Sequence, residues 1–593
     1  VEWAMLPVAV EDIDRIEVTR GPDSASYGPN SLMAIINILT KRPKDVERFM
    51  ASVEVGSHYA NENTVRLATR LSNDTHVAAT ANTARNSGYD NATLRGGAHD
   101  STDVRRLNVR AQTDLSADES LELQAAFAHA RREYNYTYDP FVLDYPDQTH
   151  EEVQFNAKWT KALSATHELQ IRAYHDGVNT NYDWRSCWPR VALHPSVTPI
   201  LNKYPQFALA LITGGNLNAI SAINVPTQAE INQVMAAIAS LGGIGPALAL
   251  NACGTVNLNG QDTRSQIELQ DTYVLSDTLR FVSGLGLRYQ DANSVGYFGG
   301  KVNNQVRWVF GHVEYRPSTA LTFNLGGYGE SNSLGPGTFS PRAAVNYHLS
   351  DNQSVRAVYS KGTRTPDLLE ARGKMAPYME DVTPPVMGVS NIAPLVIFRG
   401  NPALRPERIA SFELGHLIAL RQWGMTVDTR VFSERLTNLI SDANTNFDLS
   451  ASNNGSVKLD GFETQANWDL GAEWSGWLGY SYLLNHEATN IVEQTQWSRQ
   501  SGSGGISRAF GNRWRASFSH YFSSGNGINE KLYERSDLTL SHDLMFGPLP
   551  ATAMLVVGYL HTPVVNTYLS SVGYFSHSYN SRLNFNGKVR VAF

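Results

Sequence analysis

Cys187 and Cys253 are the two thiols of a 593-residue chain, and the first sits among groups able to hold an anion: Trp184, Arg185, Trp188 and Arg190. Guanidinium forks bind oxyanions bidentately and stack on aromatic faces. Tyr134, Tyr136, Tyr138 and Tyr145 add aromatic surface in an earlier stretch. The same residues suit loop packing or a membrane interface, where Trp and Tyr keep one end wet. Met375, Met379 and Met387 offer thioethers, soft ligands that suit copper, and equally they suit apolar loop packing. The cysteines are either one disulfide or two unrelated thiols, since no CxxC or Cys/His cluster points to a metal site. No HExxH or GxSxG occurs and no Ser/His/Asp set stands out, so the chain does not read as an enzyme and calls for no cofactor. A net charge of −7 with no strongly basic domain argues against nucleic acid as a partner.

The elements that must position these groups are strands. In the last one, Leu583, Phe585, Val589, Val591 and Phe593 share a face, opposite Arg582, Asn584, Asn586, Lys588 and Arg590. A period of two with one apolar face is a β-strand, and cations on the other face require water there. Leu107, Val109 and Ala111 alternate in the same way with Asn108, Arg110 and Gln112, and Trp514, Ala516 and Phe518 with Arg513, Arg515 and Ser517. Val234 to Leu250, the most apolar stretch, is broken by glycines and Pro246 and is too short for a spanning helix. A transmembrane barrel, apolar outside and polar in its lumen, accounts for the whole pattern.

Turns punctuate the strands. Leu71-Ser72-Asn73-Asp74, Leu115-Ser116-Ala117-Asp118, Leu163-Ser164-Ala165-Thr166, Leu275-Ser276-Asp277 and Leu349-Ser350-Asp351-Asn352 are tight connections of one kind, with Arg316-Pro317-Ser318-Thr319 a sixth. Their spacing of roughly 45 residues holds two strands and one longer loop, which divides the chain into about 22 antiparallel strands. A barrel of that size needs something to fill its lumen. Leu163 to Leu275 spans roughly 110 residues instead, so one extracellular loop, residues 184–262, carries a long insertion. Both cysteines fall within it, and in an exported protein that placement favours a Cys187–Cys253 disulfide. Helical spacing at Ile231, Val234, Met235, Ile238 and Leu241 makes the insertion a small folded lid.

Asp12-Ile13-Asp14-Arg15-Ile16-Glu17-Val18-Thr19-Arg20-Gly21-Pro22, then Ser26-Tyr27-Gly28, then Ile35-Ile36-Asn37-Ile38-Leu39-Thr40-Lys41 resembles the end of the plug domain of TonB-dependent outer-membrane receptors. Ala34 departs from the glycine usual before the second plug strand. Tyr359-Ser360-Lys361-Gly362 through Glu370 and Gly400-Asn401-Pro402 through Glu407 are similar to two barrel segments of that family, which flank an extracellular loop. The terminal Phe593 fits as well. The resemblance implies an all-β architecture, with residues 1–46 the C-terminal part of a plug and 47–593 the barrel. It assigns Arg20, Gly21, Pro22, Tyr27 and Gly28 a structural role in the plug motif.

The resemblance further implies active uptake of a scarce, bulky nutrient across the bacterial outer membrane, most often a ferric siderophore, in contact with outer-membrane lipid and lipopolysaccharide. The energising partner is the TonB–ExbB–ExbD complex, which grips a TonB box upstream of the plug; that box and a signal peptide do not occur in this sequence. An anionic ferric siderophore suits the Trp/Arg and Tyr groups named above. Haem receptors of the family place a His between the two barrel segments, and none stands between Pro366 and Asn401. Cobalamin, copper or another metal complex, and a passive porin-like channel, remain alternatives.

Overall fold

The alternation along the strands becomes two chemically different surfaces in the computed structural model. It describes residues 5–22, 31–88, 100–133, 139, 141–143, 146–213, 225–394, 396–442, 449–471, 473–511, 513–526, 532–562, 564–567, 576–579 and 582–593. Among these, 22 antiparallel strands close into one barrel. The first, Phe49–Gly56, pairs with the last, Leu583–Ala592, from Met50↔Ala592 to Gly56↔Asn586. Phe49 and Phe593 seal this seam with reciprocal backbone hydrogen bonds of 3.0 Å and rings 5.1 Å apart. Closure leaves no open edge for lipid to meet. No helix among the described residues is long and apolar enough to cross a membrane.

The outward face is apolar in mid-strand. Leu285, Leu287, Phe518, Leu538 and Phe585 are all about half exposed, a belt of the kind that lipid covers. Their sequence neighbours turn inward, where Arg66 is fully buried between the exposed Val65 and Leu67. Lumen-facing glycines make room for large rings. A Cβ on Gly286 would sit 2.1 Å from the Trp308 ring, which lies across it and donates from Nε1 to Glu268. All six expected turns occur at one end of the barrel as two-residue connections. Ser116 Oγ donating to Asp118 at 2.7 Å shows how such turns are held.

At the opposite end, the strand His167–Pro189 runs far past its neighbours. Its tip pairs with Asn251–Asn257, which pairs in turn with Tyr378–Thr383. Short helices Thr198–Lys203, Pro205–Thr213, Gln228–Ser240 and Ile244–Ala249 pack on this small sheet. The longest answers the helical spacing read from the sequence. Thr227 caps it in a reciprocal box with Glu230, and Val234, Ala237 and Ile238 form its buried face. Met235, grouped with them by spacing alone, points outward and is 49 % exposed. Cys187 and Cys253 face each other in the strand register and are joined in a disulfide.

Candidate functional site

A peptide segment occupies the lumen, and of the cavities beside it the one of ≈600 Å³ lies nearest the long loops. The segment is the N-terminus. Ile13–Arg20 (β1) and Ala34–Thr40 (β2) form an antiparallel hairpin, and the chain on either side of it is tied to the inner wall. At one end Glu11 and Asp12 meet barrel cations. Asp12 Oδ1 lies 2.9 Å from Arg110 and 3.3 Å from Arg66 and accepts from Thr80 at 3.0 Å, with both ion-paired carboxylate and Arg66 side chains fully buried. Glu11 pairs with Lys588 and accepts from Ser52 at 3.1 Å. Burial alone would raise the Glu11 pKa, but Lys588 outweighs it and holds the carboxyl below its usual range.

The other end is the Arg20-Gly21-Pro22 motif. Arg20 Nη1 lies 2.7 Å from Glu463, and Arg430 bridges Glu463 and Glu413, each at 2.8 Å. Gly21 has φ +80°, and a Cβ there would stand 3.3 Å from Arg430 Nη1 in a backbone conformation that side chains avoid. Leu32, farther along the segment, packs on Ile409, Leu436, Val457 and Leu459 of the wall. Tyr27 and Gly28 lie outside the described residues.

The cavity, ≈600 Å³, opens near the long-loop end, between the strands Gly260–Ser276, Leu279–Ser294 and Gly300–Ser318 and the start of the loop after Arg364. Three guanidiniums line it. Arg364 is already neutralised: it pairs with Glu407 and, at 2.7 Å, with Glu370, which also closes the capping box of Leu368–Arg372. Arg264 and Arg288 differ. They sit on adjacent strands, one step off direct opposition, since Arg264 faces Gln290 and Arg288 faces Gln266. The Nε of each is buried and makes no hydrogen bond. Amides from Gln290, Asn304 and Asn332 surround them, Asp262 and Asp367 line the same cavity, and Asp176 stands directly across from Arg264 on the neighbouring strand. The arrangement can receive a polar, anionic molecule of several hundred cubic ångströms.

The aromatic and sulfur candidates read from the sequence are placed elsewhere. Trp184 and Trp188 are core residues of the folded long loop, 5 % and 1 % exposed. Trp184 Nε1 donates to Asp139 at 2.8 Å, and Trp188 packs edge-on against Phe141 at 4.9 Å. Burial pushes the Asp139 carboxyl above its usual range. These indoles therefore present no free face to a ligand in this conformation. Arg185 is exposed on the lid strand and Arg190 half-buried. Met375 and Met379 belong to the same apolar core, whereas Met387 is exposed, so the three thioethers form no common ligand set here. Tyr134, Tyr136, Tyr138 and Tyr145 lie outside the described residues. Arg264 and Arg288 were not singled out from the sequence. Alternation alone would have put each on the lumen face, Arg264 with Gln266 opposite Ile267, and Arg288 between Leu287 and Tyr289, but the bulge between Val274 and Ser276 hides their register from a count along the hairpin.

A large closed barrel with a tethered N-terminal hairpin in its lumen defines a transport receptor of the outer membrane. Residues 53–547 match the family described as TonB dependent receptor-like, beta-barrel, and the chain belongs to that family. Solved structures agree on the fold. The ferripyoverdine receptor of the outer membrane of Pseudomonas aeruginosa, bound to ferripyoverdine, superposes with a TM-score of 0.67 at 12% identity, over 98% of this chain and 76% of that one. The ferric-catecholate import receptor Fiu of Escherichia coli K12, in its closed form, gives 0.67 at 11% identity over 98% and 86%. The siderophore receptor PiuA of Acinetobacter baumannii gives 0.68 at 11% over 98% and 87%. At such identities the likeness is one of fold alone. No curated protein matches the chain by sequence.

Proposed function

We propose that this receptor takes up a ferric siderophore of anionic character. One observation carries the reading: Arg264 and Arg288 point side by side into a cavity on the long-loop side of the lumen, each with a buried Nε that makes no hydrogen bond. Glu407 and Glu370 form close ion pairs with the third guanidinium, whereas Arg264, beside Asp176 and Asp262, and Arg288, beside Glu330, form no such close pair among the described residues. An anionic chelate brings oxygens to these two half-buried guanidiniums, which bind oxyanions bidentately. The neighbours in fold, receptors for ferripyoverdine and ferric catecholates, are consistent with that cargo.

In this reading residues 1–46 are the C-terminal part of the plug, 47–593 the barrel and 184–262 a lid over the mouth. Binding at nanomolar concentration is worth about −12 kcal/mol. Release from so tight a site needs work, which TonB–ExbB–ExbD supplies by pulling on the plug. The wall contacts of Asp12 and Arg20 are the attachments that such a pull must break.

The test is binding of ferric catecholate and ferric hydroxamate chelates to the detergent-purified protein, read by tryptophan quenching. Each charge-assisted hydrogen bond contributes about 1.5–3 kcal/mol. Arg264→Ala and Arg288→Ala should therefore each weaken the preferred chelate about 10- to 100-fold while the fold stays intact. Failure of every ferric chelate to bind, or unchanged binding by the double variant, would overturn the proposal.

A further inference from the structure

The extracellular rim carries a second cluster, on the outside of the barrel. His520, Glu534 and His561 come from three consecutive strand ends, and one ligand atom of each lies within 4.8 Å of the others. His520 is near the end of Trp514–Ser523, Glu534 at the start of Tyr533–Phe546, and His561 immediately follows Leu549–Leu560. By strand alternation they share the outward face with Phe518, Leu538 and Tyr559, all substantially exposed. The cluster thus sits above the lipid-facing belt and is separated from the lumen by the wall.

Its internal geometry is ordered for coordination. His520 Nε2 lies 3.6 Å from Glu534 Oε1. Two ligands of one tetrahedral zinc ion stand about 3.3 Å apart, given metal–ligand distances near 2.0–2.1 Å. The other ring nitrogen of His520, Nδ1, bonds Ser536 Oγ at 2.9 Å, and the same hydroxyl bonds His561 Nε2 at 2.8 Å. A hydroxyl oxygen accepts two hydrogen bonds. When Nδ1 of His520 donates to it, the tautomer is set and the lone pair of Nε2 is turned toward Glu534. The rings of His520 and His561 meet edge to face at 5.8 Å, and Tyr559 packs on His561 at 5.0 Å, which restricts how far either can swing away.

We infer that His520, Glu534 and His561 form a binding site for a divalent transition-metal ion of the zinc type on the outer wall, with Ser536 as its positioning residue. Two imidazoles and one carboxylate suit zinc and leave a fourth position for water. The ion pins three neighbouring strand ends together at the membrane–water boundary and takes no part in the lumen site.

The experiment is zinc content by mass spectrometry after chelator treatment and equilibrium dialysis of the full chain against zinc chloride, with heat-modifiable gel mobility reporting the folded barrel. About one zinc per chain is expected. His520→Ala/His561→Ala should abolish it, Glu534→Gln should weaken it, and Ser536→Ala should lower the affinity about tenfold. A second arm compares samples stripped of lipopolysaccharide with samples resupplied with it, because its phosphates also bind divalent ions. Equal zinc in the folded double variant, zinc only when lipopolysaccharide is present, or no zinc at all would overturn the site.

Discussion

Asp12→Ala should loosen the N-terminal hairpin from the wall without unfolding the barrel. Asp12 is fully buried against Arg66 and Arg110, whose side chains are 0% and 6% exposed. Removing one partner of such a pair leaves an uncompensated buried charge, a loss of about 3–5 kcal/mol. The lower half of that range applies here. Arg66 keeps Glu47 at 2.6 Å, and Arg110 keeps the Lys41 carbonyl at 2.6 Å. About 3–4 kcal/mol is a factor of roughly 10²–10³ in the local opening equilibrium. Hydrogen exchange reads that equilibrium amide by amide. Amides of Ile13–Arg20 should exchange faster by that factor in the variant, while those of Phe49–Gly56 and Leu583–Ala592 should not change. Asp12→Asn, which keeps the Thr80 contact but not the charge, should fall between. Unchanged exchange across Ile13–Arg20 would refute the assignment of this carboxylate as the latch.

Further outcomes can be checked on the same preparation. Cys187→Ser/Cys253→Ser removes a cross-link spanning 66 residues, worth about 4 kcal/mol in the chain-entropy account; exchange should rise in the lid and not in the wall, and alkylation of the native protein should give a mass shift only after reduction. Glu230 caps Gln228–Ser240, and its hydrogen bond to Lys203, then those to Thr227, hold its pKa at about 2. A depressed folded pKa gives stability that is present above the ordinary value near 4.5 and is lost as pH falls through about 2. Circular dichroism and exchange should show this helix fraying in that window, and Glu230→Gln should flatten the pH dependence. Leu538→Arg, on the lipid face in mid-strand, should destabilise the barrel by about 2–4 kcal/mol in lipid unfolding assays, whereas Ser541→Arg on the lumen face of the same strand should not.

The barrel was legible because its signal is local. Period-two alternation identified Arg110 and Lys588 as lumen residues and Phe518 and Phe585 as lipid residues, and the Leu-Ser-Asx turns counted the hairpins. The lid helix was legible for the same reason, apart from Met235, which shares the spacing but falls just off the buried arc. What covers a face was not legible. Trp184 and Trp188 alternate like wall residues, yet they are enclosed by Phe141 from an earlier loop and by Met379 and Val382 from a strand some two hundred residues later. The rim cluster was hidden because the long connection between His520 and Glu534 leaves their register unspecified by any local rule.

The small sheet formed by the tip of His167–Pro189, Asn251–Asn257 and Tyr378–Thr383 has two feet. One is a pair of adjacent wall strands, His167–Pro189 running on uninterrupted and Asn251–Asn257 leading through two residues into Gly260–Ser276; the other is the loop that leaves the barrel at Arg364 and returns at Glu407. It is therefore a girder across part of the mouth, not a door hung from one side. To swing clear it must unzip the Asn251–Asn257/Tyr378–Thr383 seam or carry that loop along. Because the same loop lends Thr365 to Leu369 to the cavity wall, the far abutment of the girder is also one wall of that cavity.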